Sequence, residues 1–409
     1  MKTKKWIAKS TPVVLFILFI MIAVLALIPQ PVKTPENVEN RQELESFFET
    51  LTQSENPSSL NFAVVKNGEV IYSKAFGYAD APNQVSTTSE TVYHWWSTTK
   101  VFTAVAILQL DEQGLLNLDD PVVDYLPFFV VQYPSETSTP ITIRHLLNHS
   151  SGLPDNVPAV VGWMHYEGQP AKDQTAFLQE VFPDYAKLDF EPGEKSVYTN
   201  VGYMVLGSVI EQVSGDSYED YIRHHILQPL QMNQTDFIYT DEMVTNAAVG
   251  MHPLLDIQSA FLPFFYGGRM DGLIREVKNG NMWFFRVLAD SNPPTGLIGP
   301  AEDLARFEAA YLNGGELDGQ RILSQESVTY MSTQNWVSAK SQQMDQGIQG
   351  TGWEICGTEE LCLEHGGGGP GFGSSIRLLP EQNIGYVLLA NSTNIDRDGI
   401  MDMVMSLDW

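Results

Sequence analysis

A serine and a lysine three residues apart, Ser97 and Lys100 in the run STTK, open a segment that is apolar almost all round, VFTAVAILQL (101–110). On a helix that spacing puts both side chains on one face, within reach of each other. A serine hydroxyl is a weak nucleophile until a neighbour takes its proton. A lysine in apolar surroundings holds its own proton less tightly and can be that neighbour. The helix N-terminus adds unpaired N–H groups and a positive dipole end, both suited to a developing oxyanion. Alone the motif is weak, since Ser-x-x-Lys arises about once by chance in a chain this long. A serine N-cap followed by a surface lysine has the same spelling. Two further runs give it context. Tyr198-Thr199-Asn200 follows the turn Glu191-Pro192-Gly193 and leads into a helical pattern at 201. His365 and the glycine run Gly366-Gly367-Gly368-Gly369 lie between two strand-like segments. Glycines on a strand edge let a substrate approach the backbone closely.

With STTK at 97, YTN at 198 and HGG at 365 in that order, the chain resembles the serine β-lactamase / penicillin-binding protein superfamily. The resemblance is to the branch of class C β-lactamases and D-alanyl-D-alanine carboxypeptidases, which also holds esterases and D-amino-acid peptidases. Connecting segments carry it too: ITIRHLLNHSSGLPD (141–155), FEPGEKSVYTNVGYMVLG (190–207) and GLIGPAEDLARFEAAYLNGG (296–315). It covers about residues 45 to 395. The resemblance implies an α+β fold whose antiparallel sheet is flanked by helices. It makes Ser97 the acylated nucleophile, with Lys100 helping to deprotonate it. Tyr198 is the general base, as a phenolate stabilised by Lys100. Asn200 holds the substrate amide or the attacking water, and backbone N–H groups of Ser97 and Gly368 form the oxyanion hole beside Gly367. Acyl transfer with these parts needs no metal and no cofactor. One departure stands out. The β-lactamases usually carry Lys-Thr-Gly where this chain has His365-Gly366-Gly367. Gly366 has no hydroxyl, and His365 is a weaker, pH-dependent cation. The expectation is therefore an esterase, amidase or peptidase. The alternatives are a β-lactamase or D,D-carboxypeptidase proper and, in another class, a catalytically silent protein binding peptidoglycan or a partner.

The surrounding pattern supplies the elements that must position these residues. Two β-rich runs flank Asn67-Gly68 in 61–79, a strong hairpin signal. Helical patterns cover 97–113, 141–149, 201–213 and 301–313, and strand-like runs cover 351–356, 361–365, 373–379 and 384–390. Strands at both ends and helices between them predict one sheet built from both ends, with a mainly helical lobe inserted.

The N-terminus reads as an export segment. Lys2, Lys4, Lys5 and Lys9 precede sixteen apolar residues, Val13 to Ile28, and no acidic residue occurs before Glu36. A positive flank before an apolar core is the pattern of a signal anchor or a signal peptide. No polar cleavage region intervenes, which favours an uncleaved anchor over residues 1–28. The proline-bearing stretch 29–40 is a linker, and 41–409 is the catalytic unit, outside the cytoplasm. Of 409 residues 43% are hydrophobic and 11% aromatic, which excludes wholesale disorder. The net charge of −27 would repel phosphate backbones and excludes nucleic acid as a partner. A small-molecule or peptide acyl donor and the membrane are the expected partners.

Three features stand apart from the motifs. His145 and His149 have the i, i+4 spacing of a metal pair, yet no third ligand is evident and no metal is assigned to them. Cys356 and Cys362 could face each other across a hairpin. In an oxidising compartment a disulfide is expected, against the alternative of two thiols. Residues 261–285 are rich in aromatics, with Arg269, Arg275, Lys278 and Arg286 interspersed through 286. They form either a local core or an apolar wall at the pocket entrance or the membrane surface.

Overall fold

The computed structural model describes residues 32–154, 163–256, 262, 270–333, 348–357, 360–392 and 394–409. Residues 1–28, where a signal anchor or signal peptide is expected, lie outside them. No helix among the described residues is long and apolar enough to cross a membrane. Val38, in the stretch 29–40 expected as a linker, is buried against the apolar layer that also holds Leu44 and Val404.

Helix α1 (Arg41–Gln53) starts where the Asn40 side chain accepts the Glu43 N–H. Strands β1 (Ser59–Lys66) and β2 (Glu69–Asp80) follow, with Asn67 and Gly68 both at positive φ in the turn, as a tight hairpin of this kind requires. Strand β3 (Val85–Ser86) ends the first contribution to the sheet. The chain then runs through helices α2 (Thr99–Glu112), α3 (Ile143–Leu147), α4 (Asn200–Ser214) and α5 (Asn292–Thr295) to α6 (Ala301–Leu312). It returns as β4 (Ile348–Gln349), β5 (Glu354–Gly357), β6 (Cys362–Gly369), β7 (Phe372–Leu379) and β8 (Ile384–Ala390), and closes with α7 (Arg397–Met405). The sheet order is β4-β5-β6-β7-β8-β1-β2-β3, every pair antiparallel. Both ends of the chain thus build one sheet, and β8 pairs with β1 to join them.

Both faces of the sheet are covered. Phe62, Val64, Tyr386 and Leu388 pack on α1 and α7, while Ala63, Val65, Val387 and Leu389 pack on the α2 and α6 side. The strand period of two sends alternate residues to two cores, so β8 is buried throughout. Helix α2 is buried from Thr99 to Leu110 and lies at the centre of the larger core. It begins two residues later than the pattern suggested. Residues Trp96–Thr98 form a separate 3₁₀ turn, entered through Trp96 at φ +47°.

One buried group stands out in this layer. Glu308 on α6 is fully buried, and neither carboxyl oxygen has a hydrogen-bond partner among the described residues. It fits against β8 where Gly385 lacks a side chain. Burial pushes its pKa well above the usual carboxylate range. The folded protein therefore keeps a proton that the unfolded chain releases above about pH 4.3, and stability falls as pH rises from there. Glu308→Met should stabilise the fold by about 1–3 kcal/mol at pH 8, by removing two unsatisfied polar atoms. The gain should shrink towards pH 4. Thermal melts at the two pH values check this, and a gain independent of pH would contradict it.

Candidate active site

Ser97 sits in the Trp96–Thr98 turn, between the sheet and the start of α2. Trp96 holds a left-handed backbone, costly for a bulky residue. Its ring stacks on His94 at 4.8 Å, which holds it in place. Hydroxyls lock the turn to the sheet. Ser374 on β7 donates to the Trp95 carbonyl at 2.6 Å and accepts from Thr98 Oγ1 at 2.9 Å. Strand β6 then passes close to the turn. A Cβ at Gly367 would lie 2.0 Å from the Trp95 carbonyl oxygen and 3.0 Å from the Ser97 nitrogen, so only glycine fits there. Gly368, the next residue, is exposed on the strand. The structure thus brings the backbone of Ser97 beside Gly367, one residue before Gly368.

Lys100 is fully buried one turn into the bundle. Its ammonium donates to Asn200 Oδ1 at 2.7 Å and to the Pro294 carbonyl at 3.1 Å. It lies 4.7 Å from the Tyr198 ring centroid and 5.6 Å from that of Tyr203. Thr199 caps α4 by accepting the Gly202 N–H, and this places Asn200 and Tyr198 at the helix start. Three separate segments (α2, the head of α4 and α5) therefore meet around one ammonium group. The Pro294 carbonyl and Tyr203 carried no sequence signal, because a backbone oxygen and a core tyrosine look ordinary in a string.

His149, which carries no sequence signal for this site, is brought to it by the fold. It stands at φ +59°, with its ring 4.6 Å from that of Tyr198 and 5.0 Å from that of Tyr203. Its Nδ1 accepts the Thr199 N–H at 3.1 Å. Burial, then Lys100, then His365 keep it well below the usual imidazole range, so it is neutral. His149 positions Tyr198 and Thr199. His145 does something else: it closes a capping box with Thr142 at the start of α3. The four-residue spacing therefore does not make a pair, because His149 lies past the end of that helix.

One expectation is corrected. His365 is not a pH-dependent cation. It is buried on β6, and burial with the nearby Lys100 charge pushes its pKa down to about 3. Its Nδ1 lies 2.9 Å from the Gly366 carbonyl, which can only accept, so Nδ1 carries the proton of a neutral ring. The positive charge available at this strand is not on the residue that replaces lysine.

The remaining features lie around this site. Cys356 and Cys362 form a disulfide across the β5–β6 turn, on the strand that carries His365. In the aromatic segment Trp283 and Phe284 are buried as local core, while Phe285 is exposed. A cavity of about 610 Å³ is lined by Tyr166, Phe284, Phe285, Arg275 and Arg286, with none of the motif residues in its wall. Arg275 is paired with Asp80 and Arg286 with Glu167. Phe261, Phe264, Phe265, Tyr266 and Arg269 lie outside the described residues.

An antiparallel sheet made from both chain ends and flanked by helices, with the Ser97 turn at the head of a buried helix, is the β-lactamase/transpeptidase-like architecture. The family model described as Beta-lactamase matches residues 44–404, and the chain belongs to that family. Protein flp of Staphylococcus aureus (strain MW2) is 29% identical over 353 residues, 86% of this chain and 63% of that protein. The chain thus spans less than two thirds of the length of that curated relative. Among solved structures, the octameric penicillin-binding protein homologue from Pyrococcus abyssi superposes with a TM-score of 0.69 at 28% identity, over 90% of this chain and 77% of the other. The D-amino acid amidase from Ochrobactrum anthropi SV3 also gives 0.69, over 90% of this chain and 98% of the other, at 21% identity.

Proposed function

We propose that this chain is an extracytoplasmic serine hydrolase, acylated on Ser97 by an ester, amide or D-amino-acid peptide. The observation that carries the reading is the fully buried Lys100, held by Asn200 and the Pro294 carbonyl against the Tyr198 ring, one helical turn from Ser97. A buried ammonium is costly unless it is used or paired. Here it electrostatically favours the phenolate of Tyr198, which needs a cation because a free phenol titrates near ~10. Ser97 Oγ attacks the acyl carbon and its proton passes to Tyr198. The carbonyl oxygen gathers charge against the Ser97 and Gly368 N–H groups. The intermediate collapses, the C–O or C–N bond breaks, and Tyr198 returns the proton to the leaving alcohol or amine. Water, deprotonated by the same base, then releases the acid and regenerates Ser97.

Neutral His365 and hydroxyl-free Gly366 favour an ester or amide over a penicillin, whose carboxylate needs a cation and a hydroxyl at this strand. The lysines ahead of the apolar run 13–28 support an outward-facing enzyme tethered at its N-terminus. One experiment tests chemistry and location together. Intact cells expressing the full chain are treated with a membrane-impermeant fluorophosphonate, and the tagged peptide is mapped. A tag on Ser97 in intact cells is the expected result. A tag only after lysis would refute the outward location, and no tag on Ser97 in either sample would refute the nucleophile. Rapid turnover of a chromogenic cephalosporin beside a chromogenic ester would move the chain to the β-lactamases proper.

A further inference from the structure

Arg397 is the first residue of α7, at the helix end where the backbone dipole disfavours a cation. Its guanidinium reaches to the sheet at the level of the nucleophile turn. Nη1 donates to the Gly367 carbonyl at 2.5 Å and to the Ser374 carbonyl at 3.0 Å. Gly367 and Ser374 are paired across β6 and β7. Gly366 leaves the room for this. A Cβ there would lie 3.2 Å from Nη1 and 3.6 Å from Cζ. Where the β-lactamases usually carry a hydroxyl-bearing residue, this chain has a glycine with an arginine behind it. Burial lowers the proton affinity of Arg397, but a guanidinium stays charged.

The Gly367 carbonyl and the Gly368 N–H belong to one peptide group. In a planar trans peptide they point in opposite directions. A cation on the carbonyl oxygen therefore fixes the plane of that peptide and makes its N–H a stronger donor, since hydrogen bonds in a chain polarise one another. We infer that Arg397 is a positioning residue for catalysis, holding and polarising the Gly367–Gly368 peptide so that its N–H stabilises the oxyanion formed on Ser97 acylation. This rests on the reading that Gly368 supplies an oxyanion-hole donor. The cation that His365 does not provide is thus supplied from the rear of the strand, to the backbone.

The test compares the parent protein with Arg397→Gln, Arg397→Lys and Gly366→Ala. A neutral chromogenic ester gives kcat and KM, a boronic acid gives Ki for a tetrahedral adduct on Ser97, and thermal melts give Tm. Removing one oxyanion donor outright costs about 10²–10³ in kcat, so weakening one should cost about 10–100-fold. Arg397→Gln should lower kcat by that factor with KM little changed, and should weaken the boronate by a similar factor. Arg397→Lys should recover part of both. Gly366→Ala keeps the charge and the fold but displaces the guanidinium, and should lower kcat several-fold with Tm almost unchanged, so the idea stays testable if Arg397→Gln does not fold. An Arg397→Gln or Gly366→Ala enzyme with parental kcat and boronate affinity would overturn the inference. So would a rise in KM confined to carboxylate-bearing substrates, which would make Arg397 a substrate contact instead. Absence of any Ser97 adduct in the parent protein would overturn the hydrolase reading and this inference with it, whereas parental acylation with unaffected variants would overturn this inference alone.

Discussion

Ser97→Ala should abolish ester turnover, by about 10⁵-fold or more in kcat, while leaving the fold intact. The size of the effect follows from the surroundings. A lost nucleophile can be replaced only by another hydroxyl or by water, and the neighbouring hydroxyls are committed. Thr98 Oγ1 is buried against Ser374 Oγ, the Thr99 hydroxyl accepts the Leu297 N–H, and Thr103 donates to the Pro293 carbonyl. None of them can swing into the place of Ser97 without breaking the bonds that hold the turn. The backbone N–H donors remain, so residual rate would come from water attacking a carbonyl that is still polarised. Alanine at an incompletely buried turn position costs little stability, and Tm should stay within a few degrees. Steady-state kinetics and intact mass after a slow ester decide it. Turnover above about a hundredth of the parent rate, or an acyl adduct on the alanine protein, would place the nucleophile elsewhere.

Lys100→Met should cost about 10³-fold or more in kcat, at the upper end of what a proton-transfer partner contributes. Methionine nearly matches the length of the lysine stem and suits the apolar walls of α2. What disappears is the charge beside Tyr198 and the donor to Asn200 and Pro294. In the proposed mechanism the ammonium is the cation that favours a phenolate at Tyr198, and without it the serine proton is no longer taken near neutral pH. Two carbonyl oxygens lose a donor, which destabilises, and a buried charge is removed, which stabilises. These oppose each other, so Tm should move far less than the activity does. The discriminating readout is the pH profile. Activity of the variant should recover partly at high pH, where hydroxide or free phenolate replaces the assisted base. A variant as active as its parent at pH 7 would show that Lys100 is a structural ion and Tyr198 needs no cation.

Much of this was legible in the residue string. The hairpin at Asn67-Gly68, the buried helix after Ser97 and the strands from Cys362 to Ala390 follow from turn chemistry and from periodicity, both of which are local. STTK, YTN and HGG in that order named the candidate site residues through the family resemblance, since the first run alone is a common spelling. The sharp entry to α2 did not read out. Trp96 adopts a left-handed backbone where its ring is held between the neighbouring His94 and Gly369 on β6, and the second of these contacts is remote in sequence. His149 is illegible for the same reason, because its contacts with Tyr198 and Tyr203 join segments far apart in sequence.

The sequence by itself determined which side chains are available to the proposed chemistry, and it showed that the strand beside Ser97 lacks lysine and threonine. Only the tertiary structure decided the charge at that strand. Burial beside Lys100 makes His365 neutral, while Gly366, by having no side chain, admits Arg397 from the far end of the chain. The physical reason is that protonation depends on desolvation and neighbouring charge. Both are set by what the fold packs around a residue, and neither is written in the residues beside it.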